Sequence, residues 1–361
     1  MQVWGMPILY RLESDDDFVH QNYKQASYHR EFIMRKLITF GFFLVTLYVP
    51  LILSASPWTL PENKMALSLF YDYQFADQEY LENAEAQNFP LNGQFAANTL
   101  RFDIRYGVSD RLELSLGMSF KDITYSADPA IIEFPEGAEF ASLPVARGEI
   151  LNFNRKASGI SDIFPALRYN ISKGIILVTS ETKVKLPSGY KQPSSTLNEK
   201  GVIVDDVTLG DGQIDIEESI LFGSFINASK TFFRVDMGGR LRFGEPGHQL
   251  FGGIKIGQFI GSRFVVTASV DGAITVVEGD PIGTSFVASS GNLTAQNVTT
   301  EQIIPKPLFL DKDLLSLGLG ALFVIQEGVE VQLSANQFIG GRNIPVITTF
   351  TFGSSFSFNL Q

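Results

Sequence analysis

Residues 64–75 read KMALSLFYDYQF, and every odd-numbered position from Met65 to Phe75 carries a large apolar side chain. Polar residues on the even-numbered positions are Lys64, Ser68, Asp72 and Gln74. Successive side chains of a strand point to opposite faces of a sheet, so this period of two predicts a strand with one apolar face. No helical stripe fits the same residues.

The same alternation recurs down to the C terminus. Runs 99–108 and 112–120 are joined by a short connection that begins with Ser109-Asp110, which predicts a hairpin with a tight turn. Further strands are predicted near 160–171, 175–186, 213–226, 231–243, 250–260, 264–276, 314–325, 329–339 and 346–360. An even strand number suits a single-chain barrel whose two ends meet on one side of the membrane. The sequence therefore predicts an all-β fold, a transmembrane antiparallel up-and-down β-barrel of about 12 strands with long extracellular loops.

The connections between these strands alternate between two kinds. Short ones, rich in turn formers, fall at 109–110, 172–174, 227–230, 261–263 and 326–328 and are expected on the periplasmic side. The others fall at 76–97, 122–157, 187–212, 244–249, 277–313 and 340–345, and most of them are long. Long loops of outer-membrane barrels face outward, so the alternation predicts the orientation of the barrel.

Two places depart from the regular pattern. Glu218 falls on the face of its strand that should be apolar, so a bulge or a shifted register is expected there. The connection 122–157 is too apolar for a freely solvated loop, with Ile131, Ile132, Phe134, Phe140, Leu143, Val145, Ile150, Leu151 and Phe153. We expect this loop to fold over or into the barrel mouth, either as a gate or as a packed cap without a role in traffic.

The N-terminal region predicts export. Met34-Arg35-Lys36, an apolar run at 37–53 and the small residues Ser54-Ala55-Ser56 follow the order of a secretory signal peptide. The predicted division is a non-native or mis-annotated leader at 1–33, a signal peptide at 34–56 and an outer-membrane barrel at 57–361 of a Gram-negative bacterium. The alternative is an uncleaved membrane anchor, because a 17-residue apolar run is at the short end for a spanning helix.

Composition narrows the possible partners. The chain has no Cys, which leaves no disulfide framework and no Cys-based metal site. Its 28 basic and 39 acidic residues give a net charge of −11, and no basic stripe suggests a nucleic-acid partner. The acidic surplus lies in the long loops, where it serves either solubility or cation binding. The expected partners are outer-membrane lipid, a small-molecule solute and the barrel-assembly machinery, and no cofactor is expected.

Charged residues are concentrated on the face opposite the apolar one. The candidate lumen-lining residues are basic (Arg101, Arg105, Arg168, Lys183, Lys185, Arg234, Arg240, Arg242, Lys255) and acidic (Asp103, Glu113, Asp162, Asp236, Asp271). Asp72, Glu181, Asp215, Glu217 and Glu330 share that face. Arg or Lys facing lipid costs about 2–4 kcal/mol at the midplane, so this face should look into the lumen. The charges either pair and fill the interior or line a narrow polar path, since twelve strands are intermediate between filled and open barrels.

Aromatic residues recur near the strand ends, as in the girdles of outer-membrane barrels. The residues predicted at the periplasmic rim are Tyr106, Tyr169, Phe233, Phe264, Phe356 and Phe358, and those predicted at the outer rim are Tyr71, Tyr73 and Phe75.

The sequence gives little support for catalysis or for a metal site. His248 is the single His after the leader, in a turn-like loop, and a Ser-His-acid triad would need it. The acidic residues 205–217 lack the EF-hand spacing, and no zinc ligand set is present, so we expect no enzyme and no metal site.

Three short motifs carry a resemblance to a known family. They are Ser158-Gly159-Ile160-Ser161-Asp162-Ile163, Lys183-Val184-Lys185-Leu186-Pro187-Ser188-Gly189 and Leu209-Gly210-Asp211-Gly212-Gln213-Ile214-Asp215, with Arg168-Tyr169 between the first two. In this order they resemble the outer-membrane transporter family associated with the meta-cleavage pathway of phenol degradation, and related uncharacterised proteobacterial β-barrel proteins. Ile160, Ser161 and Ser188 depart from the family motifs. The resemblance implies a passive transporter or narrow channel for small solutes, apolar or aromatic ones among them. The alternative is a structural or partner-binding barrel with a closed lumen.

Overall fold

The computed structural model describes residues 57–133, 150–193, 207–288, 298–299 and 303–360. The leader and signal peptide predicted at 1–56, Asp205-Asp206 and the central part of the apolar loop 122–157 lie outside these residues. A single 3-10 turn, Pro90–Asn92, is the helical structure in the described part. None of the described residues forms a helix long and apolar enough to cross a membrane.

Twelve long strands close into one antiparallel barrel in chain order, with the first strand paired to both the second and the last. They are β1 Lys64–Ala76, β2 Gln94–Gly107, β3 Leu112–Ser126, β4 Arg155–Lys173, β5 Leu177–Pro187, β6 Ile214–Ile226, β7 Thr231–Phe243, β8 Gln249–Ile260, β9 Phe264–Thr275, β10 Asp313–Gln326, β11 Val329–Arg342 and β12 Thr348–Asn359. The predicted fold class, an up-and-down barrel of 12 strands, is confirmed.

The barrel wall is apolar outside and polar inside. Leu114 is 45% exposed, whereas Glu113 next to it in β3 is fully buried, and the same inversion recurs along the other strands. Long charged side chains of a water-soluble sheet would face solvent, so this arrangement is that of a transmembrane barrel whose outer surface contacts lipid.

The two ends of the barrel differ as the connections predict. Short turns join the strands at one end, here called the turn end, and the long connections lie at the opposite, loop end. Both ends of the barrel sequence lie at the turn end, because the Asn63 N–H donates to the Gly107 carbonyl and the Leu360 N–H donates to the Asn63 carbonyl. Gly261 (φ 70°) and Gly328 (φ 77°) supply the left-handed backbone that two of these turns require.

The bulge or shifted register predicted at Glu218 is wrong. Strand β6 pairs with β5 and β7 in continuous register, and Glu218 lies exposed on the outer face. Its carboxylate accepts hydrogen bonds from Ser180 Oγ at 2.7 Å and Thr182 Oγ1 at 2.5 Å, both on β5. Hydroxyl donors on the neighbouring strand therefore accommodate the carboxylate without breaking the ladder of backbone hydrogen bonds.

The predicted strand boundaries fall short at β3 and β4. The pairing of these two strands continues to Tyr125 and Arg155.

The loop end carries small sheets of its own. Gly283–Ala288 pairs with Ile303–Leu308, Ala130–Glu133 pairs with Ile150–Leu151 and Val298–Thr299, and Gln78–Tyr80 pairs with Ala86–Asn88 and Ile344–Pro345. The buried carboxylate of Asp311 accepts the backbone N–H groups of Gly247 at 2.6 Å and Gly279 at 2.7 Å. These hydrogen bonds tie the connection 244–248 to two parts of the connection between β9 and β10 above the barrel.

Candidate functional site: the barrel interior

An ion-pair network occupies the interior near the turn end. Arg105 donates to both carboxylate oxygens of Glu113 at 2.8 and 2.9 Å, and Arg168 Nη1 donates to Glu113 at 3.1 Å. Arg168 also pairs with Glu181 on β5. Glu113, Arg168 and Glu181 are each at most 4% exposed. Their charges are buried but paired, which offsets the desolvation that burial imposes.

A second network runs along β5, β6 and β7. Glu217 accepts from Lys183 and Arg240, both at 2.6 Å. Lys185 lies 2.6 Å from Asp215, which is also 3.4 Å from Arg242. Together with Arg101 to Asp72 (2.5 Å) and Arg234 to Asp236 (2.8 Å), these pairs use most of the charged residues selected from the sequence.

Four of the selected residues form no ion pair with the residues that the structure describes. Asp103 is 6% exposed and lies among the guanidinium groups of the first network. Asp162 accepts a hydrogen bond from the Tyr190 hydroxyl at 2.5 Å. Lys255 and Asp271 lie on β8 and β9 beside the Arg234 pair. The interior residues of β2–β7 are called the charged wall below.

The other side of the interior has a different character. Many of its inward residues on β9–β12 are small and uncharged, among them Thr267, Ser269, Gly318, Gly320, Ser334, Asn336, Thr349 and Thr351. Larger inward residues are Val265, Leu314 and Phe338. The charged residues on these strands are Asp271, Glu330 and, at the loop end, the ion pair of Asp313 and Arg342. These small residues, called the neutral wall, are half-buried, whereas Glu113, Arg168, Glu181 and Glu217 of the charged wall are almost fully buried. Partial exposure is retained on the charged wall by Arg105, Lys183, Arg234, Asp236 and Arg240. The solvent-accessible space inside the barrel therefore borders the neutral wall and these partly exposed pairs.

The segment 57–60, ahead of β1, is seated inside the turn end. Pro57 is fully buried, and its carbonyl accepts hydrogen bonds from Thr179 Oγ1 at 2.7 Å and Asn170 Nδ2 at 3.3 Å. The Leu60 N–H donates to Glu113 at 2.8 Å, and the Trp58 ring packs edge-to-face on Phe232 at 6.1 Å. This segment narrows the interior at the turn end.

Sequence reasoning missed the segment 57–60. One signal was Gly223, where a Cβ atom would lie 2.2 Å from Pro57 Cγ, so only glycine leaves room for the segment. A glycine inside a strand often marks a close approach of another backbone.

At the loop end, the residues 207–213 cross toward the interior. The Leu209 carbonyl accepts from Lys121 Nζ at 2.8 Å and Ser161 Oγ at 2.6 Å, and its side chain packs on Ala97 and Ile123. Further along, the Gly212 N–H donates to the Tyr190 hydroxyl at 3.1 Å. Burial and the hydrogen bond to Asp162 raise the pKa of Tyr190, so it remains a donor.

Asp211 at the tip of this segment reaches a group of cations. Its Oδ1 lies 2.5 Å from Lys185 Nζ, and Arg242 donates to its other carboxylate oxygen. Burial alone would raise the pKa of Asp211, but Lys185, Lys312 and Arg242 outweigh burial and hold this pKa well below its usual range. The three motifs that carry the family resemblance thus contribute Asp162, Lys185, Asp211 and Asp215 to one cluster.

Among the described residues, those that the sequence offered for catalysis or metal binding do not form a common site. His248 Nδ1 accepts the backbone N–H of Arg242 at 3.3 Å, which orients the ring within its turn. In the described part of the chain, no three His, Asp or Glu residues are grouped so that they could hold a metal ion.

Comparisons with known proteins agree with this architecture. No protein-family model matches the chain, and no curated protein matches it in sequence. The crystal structure of an outer membrane channel from Pseudomonas putida F1 is similar, with a TM-score of 0.56 at 9% identity over 86% of this chain and 100% of that chain. At this identity the similarity shows the fold, that of an outer-membrane β-barrel.

Two other solved barrels are less similar. The translocator domain of the autotransporter NalP from Neisseria meningitidis has a TM-score of 0.40 at 11% identity, over 93% of this chain and 98% of that chain. A mutant of TodX, a monoaromatic hydrocarbon channel, has a TM-score of 0.38 at 8% identity, over 84% and 92% of the two chains.

Proposed function

We propose that the protein is a passive channel of the bacterial outer membrane that admits small solutes, apolar or aromatic ones among them. The observation that carries the proposal is the unequal interior of the closed barrel. Most charged side chains of the charged wall are held in ion pairs, while the small side chains of the neutral wall leave accessible space. In this proposal the chain is exported by the signal peptide at 34–56 and is not an enzyme.

The lining of the accessible space suits a neutral solute. Hydroxyl and amide groups of the neutral wall can replace part of the hydration of a small molecule without holding it by charge. Aromatic faces are also present inside, since Phe251 is half-buried and carries the Arg240 guanidinium 5.7 Å from its ring centroid. Weak contacts of several kinds favour passage over tight binding.

Solute flux into liposomes tests the proposal. We expect liposomes that contain the purified barrel to admit small neutral solutes such as phenol analogues and arabinose, and to exclude large oligosaccharides. Ser334→Trp should reduce this flux because its side chain points into the space beside the neutral wall. Leu333→Trp is the matched control, since Leu333 is 60% exposed on the outer face. Absence of flux through both the folded wild-type barrel and a folded variant that lacks residues 57–60 would contradict the proposal.

The second candidate function is a structural or partner-binding barrel with a closed lumen. The buried seat of the segment 57–60 favours it, because this segment fills part of the turn end. A closed barrel predicts no flux with or without this segment. A channel predicts flux in at least the variant that lacks residues 57–60.

A further inference from the structure

Three cations lie together at the loop end of the charged wall. Lys185 on β5 and Arg242 on β7 flank Asp215 on β6, because the register places both residues opposite it. Lys312 lies in the connection just before β10, close enough for its charge to act on Asp211. On the strands, Asp215 forms the ion pairs with Lys185 and Arg242, and Asp162 on β4 lies close enough for the charge of Lys185 to act on it.

A further carboxylate comes from outside the barrel sheet. Asp211 belongs to the segment 207–213, and its two oxygens receive an ammonium and a guanidinium group from different strands. The planar carboxylate of Asp211 thus lies between donor groups that the strands of the charged wall supply. Charge-assisted hydrogen bonds of this type are among the stronger contacts that proteins make to a carboxylate.

The third cation, Lys312, adds a charge that is not neutralised by an ion pair among the described residues. It forms no ion pair with the residues that the structure describes, and its neighbours include Arg242, Lys185 and Arg240. Burial, followed by the repulsion of these cations, lowers the pKa of Lys312 to about 8 although Asp211 acts in the opposite direction. Removal of the Asp211 carboxylate would leave Lys185 and Arg242 facing Asp215 and would lower the pKa of Lys312 further.

We propose that Lys185, Arg242 and Lys312 form a binding site for a small carboxylate solute, which Asp211 occupies as a tethered competitor until the solute replaces it. The proposal rests on the channel function above, because it names a class of solute for the same interior. Contacts of Leu209 hold the segment 207–213 independently of Asp211, so the segment need not unfold when the carboxylate is replaced.

The tether sets the expected affinities. A group on a short segment competes as if it were present at millimolar concentration. Wild-type protein should therefore bind a free carboxylate weakly. Replacement of the Asp211 carboxylate by an amide of the same shape should raise that affinity by about tenfold or more.

Isothermal titration of the detergent-solubilised barrel with benzoate tests the site. Asp211→Asn should bind benzoate about tenfold more tightly than the wild type, and benzyl alcohol should gain nothing. Asp313→Asn is the matched control, because Asp313 lies at the same end but pairs with Arg342 at 2.9 Å. It should bind benzoate as the wild type does. Equal benzoate affinity in wild type, Asp211→Asn and Asp313→Asn would overturn the proposal.

A second variant keeps the test decisive if Asp211→Asn does not fold. Lys312→Gln removes a cation without breaking an ion pair among the described residues, so we expect it to fold. In this variant the weak wild-type affinity for benzoate should fall further, and an unchanged affinity would contradict the site. Sulfate and chloride serve as additional probes, because stronger binding of either than of benzoate would indicate a general anion site and overturn the assignment to carboxylates.

Flux measurements separate a failure of the site from a failure of the proposed function. If Asp211→Asn binds benzoate tightly but the liposomes admit no solute, the site stands and the channel function is wrong. If liposomes admit neutral solutes but Asp211→Asn gains no affinity for benzoate, the channel function stands and the carboxylate site is wrong.

Discussion

The charged wall and the neutral wall are built from the same kind of strand, but they use their inward positions in opposite ways. The charged wall fills its side of the interior with long side chains whose charges are paired, as at Glu113 and Glu217. The neutral wall carries Gly, Ser, Thr and Asn and leaves room beside them. Charged residues inside a barrel thus do not by themselves mark the path of a solute, because paired charges can serve as packing.

The largest expected effect distinguishes the walls by stability. Glu113→Ala leaves Arg105 and Arg168 buried without this carboxylate, and loss of one partner from a buried network typically costs about 3–5 kcal/mol. Asn336→Ala on the neutral wall should cost less than about 1 kcal/mol, as substitutions away from packed networks usually do. Urea unfolding in lipid vesicles measures both. Equal losses would mean that the two walls do not differ in their contribution to stability.

The next effect compares the charged wall with the outer surface. Leu114→Arg places a guanidinium in lipid and should cost about 2–4 kcal/mol near the midplane, which impairs assembly. Arg105→Ala should fold, since Glu113 keeps Arg168 and the Leu60 N–H as partners. Its ion selectivity should shift toward cations because the interior loses a positive charge. Heat-modifiable gel migration reads folding, and similar folding defects in both variants would show that the faces are assigned wrongly.

A smaller effect concerns the segment 57–60, which narrows the turn end on the charged side. A barrel that begins at Pro61 should fold, and its conductance should be higher than that of the full chain. The reason is that the space filled by Pro57 and Trp58 becomes free. Single-channel recording in planar bilayers measures the change. Trp58→Ala, which keeps the backbone hydrogen bonds of the segment, is the control and should change conductance less. Unchanged conductance in the deletion variant would mean that this segment does not limit flow.

Local patterns in the sequence predicted what depends on local rules. The period of two fixed the strands, and short turns such as 227–230 fixed the pairing that sets Asp215 opposite Arg242. The strands β3 and β4 extend further than predicted, because their ends at the loop end lack the apolar alternation that lipid imposes. Glu218 misled the prediction, since the hydroxyl groups that donate hydrogen bonds to its carboxylate lie on another strand.

Features that join distant parts of the chain could not be read from the sequence alone. The seat of Pro57 requires Asn170, Thr179 and Gly223 to meet at one place. The insertion of Asp211 between Lys185 and Arg242 depends on how a connection folds back, which no strand period specifies. The neutral wall was not predicted for another reason. Its small uncharged residues give no signal in the sequence, and their role becomes visible only when the opposite wall is known to be filled.

Cysteine accessibility tests most directly whether the path follows the neutral wall. The natural chain has no Cys, so a single introduced thiol is the one reactive group. Ser334 on the neutral wall is half-buried, and Ser219 on the charged wall is 6% exposed. With a charged, water-soluble thiol reagent, we predict that Ser334→Cys reacts rapidly and loses conductance, whereas Ser219→Cys reacts slowly and keeps it. Rapid reaction and block at Ser219→Cys, with an inert Ser334→Cys, would contradict the account.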